Sequence, residues 1–156
     1  MWSTRLRNIP LPEPFLVGMG TGLVLHRLWP QRLPGSDSLC RVLGWSLLGA
    51  GGALVASAWR AAGQIDLEHP VRLVSAGPYA ISRNPMYVGW GLLHVGAALT
   101  VGSAWMVATF PLSAIWLHRD VLQEERRLDD AFEDEFRQWQ ATVPRYVGFR
   151  RLRRAP

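Results

Sequence analysis

The amino-acid sequence predicts an all-α integral membrane protein, a single domain over residues 1–156 with about four transmembrane helices. Three observations lead to this fold class. Apolar residues gather in blocks, charged residues gather between the blocks, and tryptophans lie near the block ends. A helix that crosses a bilayer needs about 20 mainly apolar residues, and tryptophan is enriched where such helices meet water. The alternative is a soluble helical domain, but a chain this small could not cover four faces that lack charge.

The predicted transmembrane helices follow the apolar blocks in chain order, at about 12–29, 42–60, 86–101 and 103–118. The last two blocks are continuous and short for two spans, so we place a tight turn at Thr100-Val101-Gly102-Ser103. Pro111 predicts a kink in the fourth helix. Between Met86 and Leu117, His94 is the one residue that can carry a charge near neutral pH. It is either a functional group inside the membrane or a neutral histidine bonded to a neighbouring helix.

Small residues four positions apart recur in the first two predicted helices. The pairs are Gly18 with Gly22, Gly49 with Ala53, and Gly52 with Ala56. Such pairs let helices approach closely in lipid, where small residues are enriched at helix interfaces. They therefore predict helix packing inside the chain, and they also permit a homodimer.

The distribution of arginine predicts the orientation in the membrane. All 17 basic residues are arginine, and cytoplasmic segments carry an excess of basic residues. If both termini are cytoplasmic, only Arg27, Arg32 and Arg41 lie on the outer side. The net charge of +5 then describes attraction to anionic lipid, so no nucleic-acid partner is expected. The small size and the use of arginine alone favour a bacterial inner membrane. With one cysteine, no internal disulfide or cysteine metal cluster is expected.

A polar loop punctuated by proline, GPYAISRNPMYVGW over residues 77–90, stands directly before the third predicted helix. Asn84 suits the N-cap position and Pro85 the first turn of a helix. The free N–H groups of that helix start, with Arg83 beside them, would form an anion site. Alternatively, Arg83 extends to the membrane surface without a ligand.

The chain after the fourth apolar block predicts an amphipathic C-terminal helix. At 100° per residue, five apolar side chains fall within an arc of about 80°. They are Val121, Leu128, Phe132, Phe136 and Trp139. Glu125 lies inside this arc and Glu124 at its edge. A buried carboxylate is costly unless it is partnered, so the pair should meet either an arginine of the same chain or a cationic ligand.

Three motifs follow one another in this part of the chain: G-P-Y, R-N-P-x-Y-x-G and E-E-x-x-L. With FEDEFRQWQATVPRY after them, they resemble the membrane-embedded methyltransferases, which include isoprenylcysteine carboxyl methyltransferase and phosphatidylethanolamine N-methyltransferase. The resemblance covers residues 69–147, about half of the chain. It implies transfer of a methyl group from S-adenosylmethionine to a lipid-like or small hydrophobic acceptor. The cytoplasmic loop at 69–87 and the C-terminal segment at 119–147 would cap the cofactor site.

The resemblance also implies the cofactor contacts, and the chemistry of the cofactor agrees with them. Arginine and a helix start suit its carboxylate, glutamates suit its ammonium group or ribose diol, and tyrosine rings suit its sulfonium. Leu73 and Val74 would line the adenine pocket. The full set of expected contacts is His69, Val71, Leu73, Val74, Gly77, Tyr79, Arg83, Asn84, Pro85, Met86, Tyr87, Glu124 and Glu125.

Departures from the family pattern bear on the substrate. His118, Arg119 and Asp120 are expected on the substrate side, and Asp120 stands where the isoprenylcysteine enzymes have an arginine. An acid there would suit an amine better than a carboxylate. Glu133 stands where the family has a glycine after a phenylalanine. Two other functions stay open: an NADPH-dependent reductase like the sterol reductases, for which the chain is short, and a catalytically silent membrane module that binds a partner through its basic tail.

Overall fold

The computed structural model describes residues 12–35, 37–63 and 73–148. The described chain is helical apart from its connections. The helices are α1 (Glu13–Leu28), α2 (Asp37–Ala62), α3 (Pro85–Val101) and α4 (Ala104–Thr142), with a short 3-10 helix (Gly77–Ala80) in the loop before α3. Within these ranges there is no β-strand, and one isolated backbone bridge joins Arg32 to Ser103. The predicted all-α class is therefore confirmed. His69 and Val71 lie outside the described residues.

Local sequence signals place the helix ends correctly. The third helix begins at Pro85, directly after Asn84, as the Asn-Pro pair predicts. The turn between α3 and α4 lies at Gly102, whose φ of 69° is a left-handed conformation that glycine adopts without a steric cost. By length and composition, α2 is the one described helix that qualifies to span a membrane, and α3 is a shorter apolar helix. The four spans therefore stay a prediction.

The fourth predicted transmembrane helix and the amphipathic tail helix form one element, α4. The break in this element lies at Glu133, whose φ of 42° and ψ of −112° are not helical, so two helical segments, 104–132 and 134–142, meet there. Phe136 and Trp139 lie beyond the break. The prediction that the five apolar residues share one face of a continuous helix is therefore wrong for Phe136 and Trp139. Phe136 is nevertheless buried, with 1% of its surface exposed.

The chain divides into two compact units. The loop unit contains the described residues 54–63, 73–88 and 121–148, and the bundle unit contains the described residues 12–53 and 89–120. Three helices contribute residues to both units. The candidate site lies in the loop unit.

Glycines on α1 pack against α4 in the bundle unit. A Cβ atom at Gly22 would lie 2.7 Å from the Cα atom of Met106, and one at Gly18 would overlap Ser113. The predicted G-x-x-x-G contact is therefore confirmed. Only glycine permits the two backbones to come this close.

The packing glycines of α2 are not those that the sequence predicted. A Cβ atom at Gly49 or Gly52 would meet nothing within 4 Å, so the predicted pairs are wrong. At Gly51, in contrast, it would lie 2.7 Å from the carbonyl oxygen of Gly89, and at Gly44 it would overlap Thr100. Gly44 and Gly51 are seven residues apart and so share a face of the helix.

His94 is fully buried among aromatic rings of the bundle unit. Its Nε2 donates a hydrogen bond to the carbonyl oxygen of Met106 at 2.9 Å. The rings of Phe15 and Phe110 meet the imidazole edge to face, with centroids 5.7 and 5.5 Å away. This is the arrangement of a histidine bonded to a neighbouring helix, the structural alternative that the sequence left open.

Candidate functional site

The loop before α3 is joined to the segment after α4 by backbone hydrogen bonds. The N–H of Arg83 donates to the carbonyl oxygen of Pro144 at 2.9 Å, and the N–H of Asn84 donates to that of Arg145 at 3.1 Å. The side-chain amide of Asn84 and the hydroxyl of Ser82 donate to the same Arg145 oxygen, at 3.1 and 3.3 Å. Three donors on one carbonyl fix the two segments together, although they are about 60 residues apart in the chain.

Glu125 lies between two arginines of the loop unit. Arg145 donates to it through Nε at 3.0 Å and Nη2 at 2.8 Å, one bond to each carboxylate oxygen. Nη1 of Arg83 forms an ion pair with its Oε1 at 2.9 Å. The side chain of Glu125 is 9% exposed and that of Arg83 is 8% exposed. The protein's own arginines therefore neutralise this carboxylate, which is one of the two partners that the sequence left open for it.

Glu125 acts to raise the pKa of both arginines, but their burial differs. The pKa of Arg145 is raised, mainly because its guanidinium donates hydrogen bonds to Glu125. The pKa of Arg83 is lowered, because its burial outweighs the attraction of Glu125. A buried guanidinium with a lowered pKa is one that the protein has only partly compensated.

Glu124 has different surroundings from its neighbour. It is an exposed residue, and its Oε2 accepts a hydrogen bond from the hydroxyl of Tyr87 at 3.3 Å. Neighbouring protein atoms nevertheless desolvate the carboxylate, and this desolvation is the main reason why its pKa is raised. The Tyr87 hydrogen bond opposes the rise, and the charge of Glu125 adds to it. In the described chain, no arginine forms an ion pair with Glu124.

Tyr79 lies close enough to Glu124 for the two to interact electrostatically. Burial, and then the negative charge of Glu124, raise the pKa of Tyr79 to about 12. The indole N–H of Trp139 donates to the backbone carbonyl of Tyr79 at 3.2 Å and so holds the 3-10 helix against the end of α4. One carboxylate and two phenols are thus gathered in this part of the loop unit.

A cavity of about 330 Å³ lies beside Arg83, with residues 140–145 as the rest of its lining. Pockets that bind small molecules have volumes of about 300–1,000 Å³. Nε of Arg83 is buried and has no hydrogen-bond partner among the described residues. The amino-acid part of S-adenosylmethionine carries an anionic group that suits Arg83 and a cationic group that suits Glu124, although Glu124 is not among the residues that line this cavity. The charges of these two residues are those that the cofactor would require.

All of the expected cofactor contacts within the described chain belong to the loop unit. Leu73 and Val74 are half-buried in the segment before the 3-10 helix, and Met86 is 4% exposed. Gly77 begins the 3-10 helix with a φ of 59°, a conformation that requires glycine. Asn84 faces the Arg145 carbonyl. Their contact with a cofactor stays a prediction.

The residues expected on the substrate side belong to the bundle unit. Arg119 and Asp120 are exposed and His118 is half-buried on α4. Their role at the substrate stays a prediction.

The sequence interpretation missed Arg145. It lies in the stretch VPRY, which belongs to the resembling segment, but no spacing links it to Glu125, 20 residues earlier. The available signal was the buried carboxylate itself, because such a group requires a cationic partner.

An all-helical chain, an apolar helix of membrane-spanning length and a polar site in the loop before α3 agree with the class of membrane methyltransferases. Residues 39–135 match the sequence model of the phospholipid methyltransferase family, and the chain belongs to that family. No curated protein matches the sequence significantly.

A solved structure has a similar fold. It is the eukaryotic intramembrane Ras methyltransferase ICMT (isoprenylcysteine carboxyl methyltransferase), with a TM-score of 0.64 and 20% sequence identity. The superposition covers 83% of this chain and 49% of that one, so this chain spans about half the length of the solved relative. The two proteins share a fold, and the likeness extends no further than the fold.

Proposed function

We propose that this chain transfers a methyl group from S-adenosylmethionine to a lipid-like or small hydrophobic acceptor at the membrane surface. The observation that carries the proposal is Glu124: a desolvated but accessible carboxylate, without an arginine partner in the described chain, beside two tyrosines. A carboxylate is costly to desolvate unless a positive charge approaches it. A cationic ligand would supply that charge.

Each group of the loop unit has a role in this proposal. When bound, S-adenosylmethionine supplies a methyl group on a positively charged sulfur that leaves as a neutral thioether. Glu124 binds a cationic group or the ribose diol, and Tyr87 orients Glu124 through its hydroxyl. The buried Nε of Arg83 would donate a hydrogen bond to the carboxylate of the cofactor. Glu125 holds Arg83 and Arg145 in position rather than contacting the cofactor.

Alignment is the main requirement of this reaction, because methyl transfer is an in-line displacement that gains most from orientation. The loop unit supplies rigidity through the hydrogen bonds of Arg83 and Asn84 to residues 144–145. Asp120 suits an acceptor with an amine, because an acidic side chain would attract a cation and repel a carboxylate. The membrane location of the family favours an acceptor that arrives from lipid.

Calorimetry of the detergent-purified protein tests the proposal. We expect S-adenosylhomocysteine to bind in the micromolar range and NADPH to release no heat. Glu124→Gln should weaken binding about tenfold or more, because a hydrogen bond to a charged group contributes about 1.5–3 kcal/mol. Asp130→Asn, an acid on the exposed face of the same helix, is the matched control and should bind normally.

A catalytically silent module is the second candidate, and the pairing of Glu125 with two arginines favours it. A purely structural carboxylate would have such partners. The calorimetric experiment separates the two functions. If the folded protein releases no heat with S-adenosylhomocysteine, the methyltransferase function is excluded and the silent module is supported.

A further inference from the structure

A second cavity, of about 180 Å³, lies at the end of the bundle unit where α1 ends and α2 begins. Its charged or reactive lining residues come from both helices and from the connection between them. They are His26, Arg32, Asp37, Cys40 and Arg41, and residues 99–102 complete the wall. Two of the three arginines that the orientation rule leaves outside the cytoplasm, Arg32 and Arg41, thus meet in one place.

The connection that carries Arg32 is held by the backbone. Arg32 bridges to Ser103, and the N–H of Leu33 donates to the carbonyl oxygen of Gly102 at 3.0 Å. The indole N–H of Trp105 donates to the carbonyl oxygen of Trp29 at 2.8 Å. The backbone of this connection is therefore fixed against the turn before α4, and the cavity is part of the fold.

The charges around this cavity favour an anion. Two guanidinium groups face one carboxylate, Asp37, so positive charge is in excess. Within residues 12–35, 37–63 and 73–148, no carboxylate lies within ion-pair distance of Arg32 or Arg41. The Nδ1 atom of His26 is buried without a hydrogen-bond partner in the same ranges.

Exposed apolar side chains at the same end of these helices indicate lipid around the cavity. Trp29 is 61% exposed and Leu39 58%. Tryptophans are enriched at the level of the lipid headgroups, and long arginines reach that level from a helix end. A phosphate at this level belongs to a phospholipid.

We propose that this cavity binds the phosphate of an anionic phospholipid headgroup, with Arg32 and Arg41 as its cationic ligands. The volume is below that of pockets for drug-sized ligands and suits a compact group. A zwitterionic headgroup fits less well, because it would bring a second positive charge towards two arginines. The site rests on the membrane location of the family and is independent of methyl transfer.

Cys40 provides the readout, because it lines the cavity and is the chain's single cysteine. The full-length protein in a maltoside detergent is alkylated with a small maleimide, and the rate is followed by mass spectrometry. Short-chain phosphatidylglycerol should slow the alkylation, whereas phosphatidylcholine at the same concentration should not. An unchanged rate with phosphatidylglycerol overturns the proposal.

Variants locate the effect. Arg32→Gln and Arg41→Gln should each raise the half-protecting concentration of phosphatidylglycerol about fivefold, the contribution expected of one basic residue near an anionic membrane surface. Arg27→Gln, an exposed arginine at the same end that does not line the cavity, should change nothing. Circular dichroism confirms that each variant is folded. Equal protection of all three variants overturns the assignment.

A further arm of the experiment separates lipid from soluble phosphate. Glycerol 3-phosphate carries the same charged group without acyl chains, and we expect weak or no protection by it. Protection equal to that by phosphatidylglycerol would mean that the cavity takes a soluble phosphate ester, and the lipid assignment would be wrong.

Discussion

The surroundings of Glu124 and Glu125 differ sharply, although the two residues are adjacent. Glu125 is buried and pairs with two arginines. Arg83 forms an ion pair with it, and Arg145 donates two hydrogen bonds, one to each carboxylate oxygen. Glu124 is exposed, accepts a hydrogen bond from Tyr87 and is desolvated, and among the described residues no arginine forms an ion pair with it, although the charge of Arg127 attracts it from a greater distance. A carboxylate whose charge is balanced by arginines of the protein contributes to structure, whereas one whose charge is not balanced is available to a cationic ligand. The difference between the neighbours separates the framework of the site from its binding group.

The largest effect should come from Glu125→Gln. It removes the charge that two arginines share, and breaking a buried ion pair costs about 3–5 kcal/mol because the remaining charge is left without a partner. We expect a reduction near the lower value, since the side chain of Arg145 is 32% exposed. Thermal unfolding in detergent measures it as a lower Tm.

Glu124→Gln is the matched control for that experiment, because it makes the same chemical change one residue away. Its free energy of unfolding should change by no more than about 0.5 kcal/mol, as for most surface substitutions. Equal losses of stability in the two variants would contradict the distinction between framework and binding group.

The second effect is a pH dependence of cofactor binding. The pKa of Glu124 is raised, so its carboxylate takes up a proton at a higher pH than the ordinary value of 4.5. A protonated carboxyl no longer attracts an ammonium group. The affinity for S-adenosylhomocysteine should therefore fall, towards that of Glu124→Gln, as the pH is lowered from 7 towards 4.5. Calorimetry at several pH values measures this, and the ordinary pKa values of the ligand's own α-carboxyl and α-amino groups lie outside this range.

The stability of the fold should depend on pH in the opposite sense at this residue. A glutamate whose folded pKa is raised contributes stability at pH values below its unfolded pKa, and this contribution is lost as the pH rises through the folded pKa. At neutral pH the charge of Glu124 therefore does not stabilise the fold.

The variant Glu124→Gln is the control for the binding measurement. If its affinity for S-adenosylhomocysteine fell with acid as steeply as that of the unaltered protein, the role of Glu124 would be refuted.

Local features of the fold followed from the sequence, and features set by distant contacts did not. The start of α3 at Pro85 and the turn at Gly102 depend on the conformational preferences of single residues. The packing face of α2 was misassigned, because Gly49 with Ala53 and Gly52 with Ala56 show the same four-residue spacing as a true interface. A spacing rule identifies a face but not its rotation towards a neighbour.

In the candidate site too, local features could be predicted and features set by distant contacts could not. The resemblance drew attention to Tyr79, Tyr87 and the two glutamates, and the structure brings these residues into one unit. The pairing of Glu125 with Arg145 could not be foreseen, because it depends on where the chain turns back after α4. The sequence marks that point only through Glu133, which replaces a glycine of the resembling family.

The break at Glu133 is required by the Glu125–Arg145 contact. In a straight helix, residues 125 and 142 would be about 25 Å apart at 1.5 Å per residue. Three further residues and an arginine side chain could not span that distance back. The helix breaks at Glu133, and across the break Arg137 donates to Asp129 at 3.0 Å.

The smallest predicted effect sharpens this point. Glu133 has a φ of 42°, where a residue with a Cβ atom is strained and glycine is not. Glu133→Gly should therefore stabilise the protein by about 0.5–1 kcal/mol, in spite of the extra backbone freedom of glycine in the unfolded chain. Glu135→Gly, an exposed position within the following helical segment, is the matched control and should destabilise by about 0.5–1 kcal/mol. Thermal unfolding measures both variants, and a destabilised Glu133→Gly would show that the strain is absent. Binding of S-adenosylhomocysteine should be unchanged in both variants. The break positions Arg145 and through it Glu125, which belongs to the framework of the site, whereas the binding group Glu124 keeps its Tyr87 hydrogen bond.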